Sequence, residues 1–192
     1  KYDVSRIIAL NGSAVSKARY YRTISGAEVK PLLQNNIAVE NNRVISGDVL
    51  SGTTISENGC LGFYDTSITV IPEGDEDEFL GWILPGLHKF SMSRTFLSWL
   101  MPTKKYNLDT NLHGEERAYV MTGEYEKVLP MDIYPTHLIK AIMIEDIDLM
   151  ENLGIYEVSP EDFALCEFVC TSKIEVQKLI RHGLDLVRKE NS

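Results

Sequence analysis

Cys166 and Cys170, in Phe163-Ala-Leu-Cys-Glu-Phe-Val-Cys-Thr-Ser-Lys173, stand at the spacing of the last two ligands of an iron–sulfur loop, C-x-x-C-x-x-C-x-x-x-C-P. Counting back from Cys166, the first two ligand positions hold Pro160 and Phe163, neither of which binds iron. A second stretch, from Tyr119 to Pro130, keeps Gly123 and Pro130 at the same kind of spacing but carries no cysteine, with Thr122, Tyr125 and Leu129 among its residues. The pattern is that of an electron-transfer scaffold without its metal ligands.

The ligand chemistry supports this. A [4Fe–4S] cluster takes four thiolates, and the chain offers Cys60, Cys166 and Cys170. Zinc also accepts histidine, yet His88, His113, His137 and His182 form no paired spacing with the cysteines. On one helix, residues four apart hold their Cβ atoms roughly 5–6 Å apart, wider than a relaxed disulfide needs. The expectation is therefore two buried thiols packing as small apolar residues, and no metal site. An odd cysteine count without regular spacing suits a reducing compartment.

The elements that would carry these residues follow from composition and period. A 192-residue chain with 44% hydrophobic content buries a substantial core. Its net charge of −9 argues against nucleic acid as a partner, because phosphate binding needs clustered Lys and Arg. No apolar run reaches membrane-spanning length, and the start at Lys1 reads as a fragment of a longer protein.

The first third reads as β-rich. Residues Arg6 to Leu10, the turn formers Asn11-Gly12 and residues Ala18 to Thr23 predict a hairpin. A short helix is expected from Glu28 to Leu33, then strands around Val44-Ile45, Gly52 to Ile55 and Ile68 to Ile71, the last bounded by Pro72. This order suits a small β-grasp module. The expected organisation is α+β, with a β-grasp module over 1–72, a connecting segment over 73–112 and a helical domain over 113–192.

The connecting segment opens with the acidic run Glu73 to Glu78, which fails the calcium-loop spacing and reads as a solvated hairpin tip. Charge then reverses. From Phe79 to Leu108 there is no acidic residue, while Lys89, Arg94, Lys104 and Lys105 alternate with Trp82, Phe90, Phe96 and Trp99. Aromatic and arginine side chains make efficient interface anchors, so Lys89, Arg94 and Trp99 are candidate docking residues for a partner protein or a membrane face. The alternative is that the aromatics are core and the cations frame it.

The last eighty or so residues change to helical period. Helices are expected over Thr136 to Met143, over Asp146 to Leu153 with Gly154 as the stop, and beyond Ser159, where Pro160 and Asp162 supply start signals. In the final helix, Val176, Leu179, Ile180, Gly183, Leu184 and Val187 share a face, with Ser172 to Glu175 as an expected capping box. Hydrolytic, phosphate-cradling and paired-histidine metal motifs do not occur, so no catalytic residue is named and no cofactor-binding residue is assigned.

Several stretches carry a family resemblance: Thr69 to Gly74, Phe79 to Trp82 with Pro85-Gly86, Lys89 to Ser91, Arg94 to Ser98, Gly114 to Ala118, Gly123 to Ile133 and Glu161 to Cys166. Along almost its full length the chain resembles the C-terminal portion of the A subunits of bacterial Na+-translocating NADH:quinone oxidoreductases. That family is related to the C subunit of Rnf complexes and to the flavin- and NADH-binding subunit of complex I. The resemblance implies a soluble-ligand-binding β-grasp module followed by a helical domain like a degenerate ferredoxin-like iron–sulfur domain. It further implies a peripheral subunit on the cytoplasmic face of the inner membrane, without flavin or iron of its own. The whole complex uses NADH, flavins, iron centres and quinone, and its A subunit is linked to quinone binding. Two other readings stay open: an iron–sulfur carrier completed by a partner's cysteines, and a free-standing soluble β-grasp binding module.

Overall fold

The computed structural model describes residues 3–75, 80–81, 83–90, 94–120 and 122–192. The chain divides into two compact units, Lys1–Asn111 and Leu112–Ser192. The fold is mixed α and β, with the sheet in the first unit and most of the helix in the second.

In the first unit β1 (Ser5–Asn11) pairs antiparallel with β2 (Arg19–Ile24), placing Ile7 opposite Arg22 and Leu10 opposite Arg19. The expected hairpin forms, but Asn11-Gly12 is not its two-residue turn. Asn11 ends β1, and residues 12–18 make a wide connection whose Ala14 is buried and donates its N–H to the Val70 carbonyl at 3.1 Å. Gly12 is needed where this loop crosses β5: its φ is +119°, and a Cβ there would lie 2.0 Å from the Val70 carbonyl oxygen.

Helix α1 spans Lys30–Leu33, shorter than expected because Glu28 is held in a β-bridge with Cys60. Strands β3 (Asn42–Ser46), β4 (Thr53–Ile55) and β5 (Ser67–Pro72) complete a five-stranded sheet in the order β2-β1-β5-β3-β4. β5 sits centrally, parallel to β1 and antiparallel to β3. Its interior residues are buried, as a strand covered by neighbours requires. Alternation then sends Ile8, Leu10, Val44, Ile68 and Val70 to one core with Val29 and Leu33 of the helical turn, while Ile7 faces outward.

The second unit is helical: α2 (Tyr125–Val128), α3 (Pro135–Met143), α4 (Ile147–Asn152), α5 (Ala164–Val169) and α6 (Val176–Glu190). Local start signals explain several boundaries. Pro135 opens α3, the Asp146 carboxylate accepts from the Leu149 N–H at 3.0 Å to cap α4, and Gly154 stops it with φ at +87°. Ser159 and Asp162 interact as expected, the Asp162 carboxylate accepting from the Ser159 N–H and hydroxyl at 2.8 Å each. They open a 3-10 turn, Pro160–Phe163, that runs directly into α5.

The capping box expected at the head of α6 does not form. Ser172 is buried and its hydroxyl donates to the Ala118 carbonyl at 3.0 Å, while Glu175 pairs with Lys178. The N–H of Gln177 donates instead to the Glu167 carboxylate of α5 at 2.8 Å. A side chain from a neighbouring helix thus does the work expected of a local cap.

Candidate functional site

Two places collect the residues marked out by the sequence, one in each unit.

In the helical unit the two iron–sulfur-like stretches pack together. Cys166 lies on α5 and Cys170 at its C-terminal cap, both buried. Opposite them, Tyr125 of α2 donates its hydroxyl to the Cys170 sulfur at 2.9 Å, and its ring lies 5.9 Å from that of Tyr119. The positions that would hold further cysteine ligands are filled from the core: Phe163 is fully buried, Pro160 is buried, and Tyr125 and Leu129 join the same cluster.

Electrostatics agree with this packing. Burial, reinforced by the Glu126 carboxylate and by Cys170, pushes the Cys166 thiol up from 9.0 to about 12, so it stays protonated at neutral pH. Burial and the bond to Cys170 push the Tyr125 hydroxyl up as well. A protonated thiol in an apolar core is neither a good nucleophile nor a ready metal ligand. A [4Fe–4S] cluster does not fit the donor set, because only two of the ligand-spaced positions hold thiols and the others hold Tyr119, Thr122, Tyr125, Leu129, Pro160 and Phe163. Both thiols are buried, and Cys170 also accepts the Tyr125 hydroxyl. Cys60, by contrast, is exposed.

In the first unit, the described part of the acid-free stretch folds onto itself. Lys89 donates to the Gly81 carbonyl at 2.9 Å and stands 5.4 Å over the Phe96 ring. Phe96 packs on Gly86, whose φ of +60° and lack of a Cβ admit the ring. The Leu97 N–H donates to the Pro85 carbonyl at 2.9 Å, Lys104 reaches the Leu87 carbonyl, and Phe90 meets Tyr106 edge to face. A 3-10 turn, Leu97–Leu100, is anchored by the buried Ser98, whose hydroxyl donates to the Lys89 carbonyl.

Among the docking candidates, Lys89 is therefore built into the lobe, whereas Arg94 is exposed, with φ at +56°, and Trp99 is half exposed. The candidate aromatic Trp82 and the acidic tip residues 76–78 lie outside the described residues. Next to the lobe, Arg43 pairs with Glu73, which also accepts from Thr110 at 2.9 Å. Together these contacts hold the Glu73 carboxyl below its usual range.

A shallow depression of about 240 Å³ beside α1 is lined by Lys30, Leu33, Gln34, Asn35, Ile37 and Glu57. It is open and of mixed polarity, unlike the enclosed apolar clefts that hold aromatic head groups. Quinone contacts are not assigned to it. Among the described residues no group of three metal-ligating side chains converges, and no helix is long and apolar enough to cross a membrane.

Known proteins resemble the chain closely. A family profile described as the NQRA C-terminal domain matches residues 7–57. The A subunit of the Na(+)-translocating NADH-quinone reductase of Pasteurella multocida is 45% identical over 189 residues, covering 98% of this chain and 42% of the relative. Its counterpart in Rhodopirellula baltica is 43% identical over 190 residues, again 98% of this chain and 42% of the relative. That of Shewanella frigidimarina is 40% identical over 189 residues, 98% and 43% respectively. The chain spans less than half the length of these relatives. Over the length it shares with them, the chain is similar, at 40–45% identity, to the A subunits of the Na(+)-translocating NADH-quinone reductase.

Proposed function

We propose that this chain is part of a non-redox, peripheral subunit of a Na+-pumping NADH:quinone reductase, a scaffold that docks on the rest of the complex at the cytoplasmic face of the membrane. The observation that carries this reading is the similarity to the A subunit of that reductase along 98% of the chain at 45% identity. In this reading NADH oxidation, flavin and iron chemistry and quinone reduction belong to the assembled complex.

The non-redox part is supported by the burial of Cys166 and Cys170 and by the raised Cys166 thiol, which favour a packing role. The sheet unit is read as a β-grasp module, supported by the β2-β1-β5-β3-β4 order with β1 and β5 parallel around a short helix. The helical unit is read as a degenerate iron–sulfur domain, supported by the Tyr125 hydroxyl on the Cys170 sulfur, which joins the two loop-like stretches. Docking is assigned to the lobe bearing Lys89, Arg94 and Trp99, where a basic, aromatic surface stands out from an acidic chain.

The test is affinity purification of the tagged full-length parent protein from detergent-solubilised membranes, with identification of co-purifying subunits and assay of Na+-stimulated quinone reduction. Recovery of membrane and flavin-bearing subunits is expected, weakened by Arg94→Glu and unchanged in iron and labile sulfide by Cys166→Ala with Cys170→Ala. Recovery of the protein alone from the soluble fraction would overturn the assignment.

A further inference from the structure

The lobe between Leu80 and Leu108 combines two properties found together nowhere else in the described chain. It carries Lys89, Arg94, Lys104 and Lys105 without one acidic residue, in a protein of net charge −9. It also turns consecutive large apolar side chains outward. Ser98 anchors the 3-10 turn inward, leaving Leu97 48%, Trp99 50%, Leu100 59% and Met101 45% exposed.

We infer that this lobe rests on an anionic phospholipid bilayer surface, with Trp99 and Leu100 entering the headgroup region and Arg94 and Lys105 meeting lipid phosphates. The inference rests on the docking reading above and names the partner's chemistry. Charge complementarity argues for it. An acidic protein approaches an anionic bilayer most readily through its least acidic part, and residues 79–108 are the long stretch without a carboxylate. Exposed tryptophan and leucine flanked by cations match the interfacial region, where an apolar body and a charged or polar rim are both satisfied. Lys89 and Lys104 already donate to carbonyls within the lobe and so shape it, while Arg94 and Lys105 lie exposed on it.

The experiment uses the purified chain, carrying Trp82→Phe so that Trp99 is the single tryptophan, titrated with vesicles. One set contains phosphatidylethanolamine with phosphatidylglycerol and the other phosphatidylcholine alone. Sedimentation and the Trp99 emission maximum are read at low salt and at about 0.5 M salt. Binding to the anionic vesicles with a blue shift is expected, weakened by salt. Arg94→Gln with Lys105→Gln should lower the affinity about 25-fold, about fivefold for each cation, at unchanged far-UV circular dichroism.

No sedimentation with anionic vesicles, equal binding to both sets, or full binding by the double variant overturns the inference. Protein docking and lipid binding give separable results. If Arg94→Glu abolishes co-purification of other subunits while the chain ignores vesicles, docking stands with a protein partner and the lipid inference falls. If vesicle binding is lost and co-purification is intact, the lipid surface stands and protein docking through this lobe falls.

Discussion

The two buried cysteines make opposite predictions for the same pair of substitutions. Cys166 sits in the apolar core, its sulfur packed among aliphatic and aromatic side chains. Replacing it with alanine removes the sulfur's apolar contacts and leaves a small void, for a loss of about 1–2 kcal/mol. Serine loses the same contacts and buries a hydroxyl, which costs about 1–3 kcal/mol more when poorly partnered. A back-bond to the preceding turn of the helix offsets part of this. Cys166→Ser should therefore be the more destabilised variant, at about 2–3 kcal/mol.

At Cys170 the order inverts. Its sulfur accepts the Tyr125 hydroxyl at 2.9 Å. Serine keeps an acceptor there, so Cys170→Ser should lose about 1 kcal/mol or less. Alanine strands the buried Tyr125 hydroxyl, at about 1–3 kcal/mol on top of the lost contacts. The assay is urea unfolding followed at 222 nm, which reports the helical unit because α2 to α6 all lie in it. Serine and alanine ranking in the same order at both sites would refute this account of the thiols.

Three further outcomes follow from the same packing. Gly183→Ala should destabilise by about 1–2 kcal/mol despite the better helix propensity of alanine, because its Cβ would lie 2.8 Å from Ile142 Cγ1 and 3.0 Å from Cδ1; a variant more stable than the parent in urea would show that Ile142 yields freely. A thiol reagent should react with the exposed Cys60 at once and with Cys166 and Cys170 only in denaturant; three fast thiols would contradict the burial. For pH, the folded Cys166 thiol is raised from 9.0 to about 12, so its protonated form is the one folding favours. Its contribution is complete below pH 9.0 and is lost as pH rises toward about 12, and the Tyr119 hydroxyl, raised from 10.0 to about 12 by burial, acts in the same direction. Alkaline titration should unfold the helical unit over this window, and a midpoint independent of pH between those values would count against both groups.

The sequence by itself determined what depends on nearest neighbours. The β-rich run from Arg6 to Leu10 marked β1, and the 3.6-residue stripe from Val176 to Val187 marked the buried face of α6. The starts near Thr136, at Asp146 and at Ser159 were readable because start signals act within a few residues of the helix they open. The spacing of Cys166 and Cys170 was equally local, and so was the charge reversal that marks the basic lobe.

Only the tertiary structure decided partners across the chain. The spacing that suggested a capping box at Ser172 was present, but its hydroxyl bonds to Ala118 and α6 takes its cap from Glu167 on α5. Asn11-Gly12 carried a turn signal, yet the loop runs on to bury Ala14 against β5. Of the docking candidates, packing inside the lobe engages Lys89 and leaves Arg94 and Trp99 at the surface. The bond from Tyr125 to Cys170 spans 45 residues. Period and propensity are properties of a few consecutive residues. Which buried donor meets which acceptor depends instead on how whole elements close over one core, and no local pattern records that.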